Sequence, residues 1–147
     1  MNAVLAELLA NGALSAQKKF QSLQTPTPDD LRWLGVATFN LGQLSQARDH
    51  LLAARAAGCA SAGIELATTY RHLGRVDLAG RALQQLSGAE LDEFDRALFY
   101  RERGCLRLAR GRKAAALADL EVAWELTFED ENSRAIRAGI GQVIALL

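Results

Sequence analysis

Proline is almost missing from this chain. The two that occur, Pro26 and Pro28, share one short stretch, so every other span is free to stay helical. Clusters of Val, Ile, Thr and Tyr are almost absent too, which leaves little to build a sheet from. No apolar run approaches the ~20 residues that cross a membrane, so no membrane partner is expected. The start, Met1 to Ala10, has no basic segment and no cleavage site, so no secretory signal is expected. Cysteine is scarce: Cys59 and Cys105 lie far apart without metal-ligand spacing, which points to a reducing, cytoplasmic setting. Net charge is absent as well. The 17 basic and 17 acidic side chains cancel, which argues against a protein that coats nucleic acid.

What is present is a soluble, globular balance. Half of the 147 residues are apolar and 23% are charged, enough for one domain with a core. The strongest signal is a spacing that occurs three times. Gly42, Ala47, Leu51 and Ala54 are separated by five, four and three residues. Gly74, Ala79, Leu83 and Leu86 repeat those gaps, and so do Gly111, Ala116, Leu120 and Ala123. A small residue, Gly35, Ala67 or Gly104, stands seven positions before each glycine. A fixed pattern recurring roughly every 33 residues marks a helical repeat array.

Helical periodicity broken by short turns predicts nine helices. They cover about residues 2–10, 14–23, 29–41, 45–57, 61–73, 76–86, 90–110 and 113–127, with the ninth following Glu129–Asn132 and running to Leu147. Asp29 and Asp30 suit the positive end of the third helix. Gly42, Gly58, Gly74 and Gly111 are natural stops, as is the Ser87-Gly88 pair. The alanine five residues after each repeat glycine lets a second helix approach the first closely. The Leu and Ala that follow share its face. The pattern specifies tight antiparallel hairpins and contains no catalytic chemistry.

These residues resemble the tetratricopeptide repeat family, in its bacterial form. The best match runs from Tyr100-Arg101-Glu102-Arg103-Gly104 through Gly111, Ala116, Asp119, Leu120 and Ala123. A second is Leu34-Gly35, Gly42, Ala47, Leu51 and Ala54, and a third is Leu66-Ala67, Tyr70, Gly74, Ala79 and Leu83. The glycines Gly12, Gly42, Gly74 and Gly111 are 30, 32 and 37 residues apart, where the family prefers about 34. Arg107 stands where an aromatic is usual. The resemblance implies an all-α fold, a right-handed α-solenoid of antiparallel hairpins forming one domain over residues 1–147. The hairpins would cover about 2–24, 28–57, 60–87 and 90–128, with a final helix at 132–147.

The same resemblance implies a concave groove lined by the first helix of each hairpin, holding a peptide or protein segment. Matching helical phase places Arg32, Val36, Phe39, Asn40, Thr68, Arg71, His72 and Arg101 there. Polar side chains among them could read a peptide backbone or a carboxylate. The family's two-carboxylate clamp of Lys and Asn is not expected, because Lys18, Lys19 and Lys113 all fall outside the first helices.

Three other features draw attention. Arg96, Arg103, Arg107 and Arg110, at steps of seven, four and three, form one basic stripe that Arg112 and Lys113 extend. It reads either as a docking strip for an acidic partner or for phosphates, or as a solvated face. No aromatics alternate with these arginines, which argues against direct nucleic-acid binding. The acids Glu90, Asp92, Glu93 and Asp95, and Glu129, Asp130 and Glu131, begin helices, and dipole complementarity accounts for them without a metal. The last helix carries Ile136, Ile140, Val143, Ile144 and Leu147 with few polar residues, so something is expected to cover it. A longer natural chain or a second copy, giving a homodimer, would do so.

His50 and His72 have no ligand-spaced partner, and no catalytic set, cofactor fingerprint or phosphate loop emerges. The expectation is a non-enzymatic interaction scaffold without cofactor or metal. The alternatives are a self-assembly module, or the repeat part of a bacterial transcription regulator.

Overall fold

The structure, a computed structural model, describes residues 2–86, 91–127 and 134–147. Among them are nine α-helices and no strand. They are α1 (Ala3–Asn11), α2 (Ala13–Ser22), α3 (Pro28–Asn40), α4 (Leu44–Ala56), α5 (Ala62–His72), α6 (Val76–Gln84), α7 (Glu93–Ala109), α8 (Lys113–Leu126) and α9 (Arg134–Ala145). The expected Ser87-Gly88 turn and the acids Glu90, Glu129, Asp130 and Glu131, with Asn132, lie outside the described residues. The seventh helix starts at Glu93, three residues later than expected, because Asp92 caps it by accepting the Asp95 N–H at 2.8 Å. The chain divides into two compact units, Met1–Arg75 and Val76–Leu147, and the division falls within the expected 60–87 hairpin.

In the first unit α3 packs against α1, α2, α4 and α5. Its start is set by local chemistry. Thr27 accepts the Asp30 N–H at 3.1 Å, and the Asp30 carboxylate accepts the Thr27 N–H at 2.7 Å, closing a capping box with Pro28 in the first turn. Asn2 caps α1 by accepting the Val4 and Leu5 N–H groups, and its amide donates to Asp30 at 2.8 Å. One buried carboxylate thus ties two helix starts together. Burial alone would raise the Asp30 pKa, but the hydrogen bonds from the Thr27 amide, the Asn2 amide and the Thr27 hydroxyl outweigh it and hold the group below its ordinary range.

The glycine stops behave as expected. Gly42 and Gly111 take left-handed φ angles of 81° and 77°. The residue after each then donates back into its helix, Gln43 to the Thr38 carbonyl at 3.2 Å and Arg112 to the Arg107 carbonyl at 2.9 Å. The turned chain lays α4 on α3 and α8 on α7. A Cβ on Gly35 would stand 2.7 Å from the Leu51 side chain, and one on Gly104 would stand 2.9 Å from Leu120 and 3.2 Å from the Ala116 carbonyl. The small residue is therefore a spatial requirement of the hairpin. The core of the first unit gathers Leu51, Ala54, Cys59, Ala62 and Leu66, flanked by Leu31, Leu52 and Tyr70. That of the second gathers Leu120, Ala123 and Ile140.

Two outcomes follow from this packing. Gly104→Ala should destabilise the protein by about 1–2 kcal/mol in denaturant unfolding, overpacking outweighing better helix propensity. Gly139→Ala, in α9 with no described atom within 4 Å of the added methyl, should instead gain about 0.5–1 kcal/mol. Asp30→Asn should cost about 1–2 kcal/mol at pH 7. A group whose folded pKa is depressed contributes stability above its unfolded value and loses it as pH falls, so the gap between wild type and variant should close below about pH 4. A gap that stays constant from pH 7 to pH 3 would contradict this role.

Candidate functional site

The first helices of the expected hairpins do meet within the first unit, where α3 packs on α5. Phe39 of α3 sets its ring edge-on to His72 of α5, with centroids 4.9 Å apart and planes at 90°. His72 Nδ1 lies 2.9 Å from the Thr68 carbonyl. A carbonyl only accepts, so Nδ1 is the donor in this contact. Asn40 and His72 are exposed, while Val36, Phe39, Thr68 and Arg71 are half-buried. Six of the eight expected groove residues thus cluster on one α3/α5 face. Arg101 lies half-buried on α7, in the second unit.

Arg32 does not belong to that face. It is 4% exposed, and its Nε and Nη2 hold both carboxylate oxygens of Glu65. Its Nη1 donates to Ser61 at 3.0 Å, and its guanidinium sits 4.3 Å from the centre of the Trp33 ring. A guanidinium fork satisfied on this many sides is a strut between α3 and α5. Its residue type pointed to a ligand, but burial against Glu65 decides its role.

The basic stripe on α7 is also not one exposed strip. Arg96 is exposed. Arg103 donates through Nε and Nη2 to the two Asp119 oxygens at 3.0 and 2.9 Å, and Arg107 donates through Nη1 to the same carboxylate at 2.9 Å. The nearly buried Asp119 lies on α8, so it binds the two hairpin helices together. Its hydrogen bonds push the Arg103 pKa further up, so that guanidinium stays charged. Arg110 extends over α6, where its Nη2 lies 3.4 Å from the Val76 carbonyl and 2.8 Å from where a Gly80 Cβ would be. The result is a recess of about 350 Å³ between α6, α7 and the α7–α8 turn. Arg103, Arg107, Arg110 and Arg112 line it together with Leu83, Leu86, Phe99 and Leu106, which supply apolar wall. What the sequence reading missed is the pairing role of Asp119. Asp119 stands 16 residues after Arg103, the same step that brings Gly104 onto Leu120 and Gly35 onto Leu51.

The apolar side of α9 is largely covered from within. Ile140 is completely buried with Leu120 and Ala123, and Ile136, Val143 and Ile144 pack against them beside Tyr100 and Trp124. Gly141 lets the Trp124 ring approach to within 3.0 Å of a would-be Cβ, and the Arg137 guanidinium lies 4.1 Å from the centre of that ring. Of the residues suggested for self-association, Ile140 is thus buried against α8. Leu146 and Leu147 remain exposed.

The Cys59 thiol donates to the Asp29 carboxylate at 3.1 Å. Burial, then this hydrogen bond, raises its pKa, which keeps it a thiol rather than a nucleophilic thiolate. Among the described residues no three His, Cys, Asp or Glu side chains group as metal ligands, and no helix is long and apolar enough to cross a membrane. No protein-family model matches the chain, and no curated protein matches it.

Arg32→Ala removes the guanidinium that holds both Glu65 oxygens in a site only 14% exposed. It should lower stability by about 3–5 kcal/mol, the cost of breaking a buried ion pair by removing one member. Urea unfolding measures this, and a loss under about 1 kcal/mol would return Arg32 to the surface class.

Proposed function

We propose that this protein is a non-enzymatic interaction scaffold of the tetratricopeptide type, a right-handed α-solenoid that holds a peptide or protein segment on the α3/α5 face. The observation that carries the reading is the convergence of Val36, Phe39, Asn40, Thr68, Arg71 and His72 on that face. It offers a half-buried aromatic and aliphatic floor with polar groups at its edge, the composition a bound peptide needs for affinity and for direction. The repeat-type origin is supported by equivalent devices in α3/α4 and α7/α8: a left-handed glycine at the turn and a glycine pressed on a leucine. Two free cysteines, one of them held as a buried thiol, are in keeping with a reducing cytoplasm.

The test is a peptide selected from a random library against the wild-type protein. Asn40→Ala, Arg71→Ala and His72→Ala together, with Arg32 left in place, should weaken its binding by about tenfold or more, the loss of one or two polar contacts. The helical circular dichroism should not change. Selected peptides that bind wild type and variant equally would rule out this face.

A further inference from the structure

The arginines of α7 and of the turn that follows it are not spread evenly along one face. Four guanidiniums converge on one recess, and among the described residues a single carboxylate, Asp119, pairs with them. Counting the described residues alone, three positive charges are left over around a cavity of about 350 Å³. Asp119 does not neutralise the site so much as orient it. Of its five donor hydrogens, Arg103 uses two on Asp119, and Arg107 uses one. Both heads are fixed in place with donors to spare. Arg110 makes only the long contact to the Val76 carbonyl, and Arg112 makes no ion pair with any described residue.

We propose that this recess binds a phosphate monoester carried on an apolar body. The leftover charge suits a dianion better than a carboxylate. Several guanidinium forks lining one recess match the several acceptor oxygens of a phosphate. The apolar part has its own wall in Leu83, Leu86 and Phe99, so inorganic phosphate uses only half of the site. The volume admits one aromatic or short aliphatic group with its phosphate and falls at the low end of small-molecule sites. Gly80 contributes by absence: with no Cβ there, Arg110 lies flat over α6 at the rim. The recess lies wholly in the second unit and the α3/α5 face wholly in the first, so this assignment stands or falls apart from the scaffold reading.

Phenyl phosphate is the probe, followed by calorimetry and by its phosphorus resonance in the presence of the full chain. It should bind saturably, more weakly as salt is raised, and be displaced by inorganic phosphate at higher concentration. Benzoate should bind about tenfold more weakly or not at all, having one charge and two oxygens. The double variant Arg110→Gln, Arg112→Gln touches only exposed side chains and should lose about tenfold or more in affinity at unchanged helical content. Gly80→Ala supplies an independent variant: it keeps every charge, improves helix propensity, and should still weaken binding by forcing Arg110 aside. A peptide bearing one phosphotyrosine separates the two sources of this chemistry. Tighter binding than phenyl phosphate assigns the site to a modified protein partner, and equal or weaker binding assigns it to a small organic phosphate. Absence of saturable binding, equal binding of benzoate, or undiminished binding by both variants overturns the proposal.

Discussion

Both described helix hairpins of this type depend on a glycine meeting a leucine. Gly35 under Leu51 and Gly104 under Leu120 leave no room for even a methyl group. That contact sets how near the second helix comes to the first. Everything else at the hairpin is placed by it: Ala47 and Ala116, fully buried, lie one helical turn before the leucine, and Ala54 and Ala123, also fully buried, follow it. Close approach of this kind yields dense dispersion contact from small side chains. It also explains how a chain with few aromatics builds a core. The contact has a fixed span of 16 residues. Arg103 and Asp119, each one position before Gly104 and Leu120, are brought together beside it.

Once the helices are this close, buried carboxylates become the joints between them. Asp30 joins the starts of α1 and α3, Glu65 joins α5 to α3, and Asp119 joins α8 to α7. Each is surrounded by several donors, the condition under which a buried charge is tolerable at all. Such joints add less to net stability than they do to register, since a slipped helix would strand a charge. Alanine-lined contacts are smooth and specify register poorly; the charged joints correct for that.

The helices, their glycine stops and the two hairpins were legible in the sequence because each rests on contacts within about 16 residues and on a period that repeats. Asn40 and His72 were placed on the exposed face by helical phase alone. What phase could not decide was the partner across a helix boundary. Arg32 shares its stripe with Val36, yet Glu65 lies 33 residues on, one repeat away, and takes it into the interior. The same blindness affected α9. Its apolar stripe was evident, but Leu120, Ala123 and the flat face of Trp124 needed a cover just as much, and α9 provides it. The signal for Asp119 lies in the repeat spacing itself, since Arg103 and Asp119 immediately precede Gly104 and Leu120, which the hairpin presses together.

Asp119 shows how a structural joint can leave chemistry behind. A carboxylate shared by two arginines cancels one charge of the two, and it fixes both heads rather than one. Oriented guanidiniums lose little freedom when an anion arrives, so the attraction is not offset by ordering them. A free arginine on a solvated helix has the same charge without this advantage. The distinction between Arg96, which is merely exposed, and Arg103 and Arg107, which are held, is therefore one of entropy more than of electrostatics. Removing Asp119 would raise the local charge and yet loosen the array that presents it. The joint that keeps α8 on α7 is also what gives the arginines of α7 a fixed geometry.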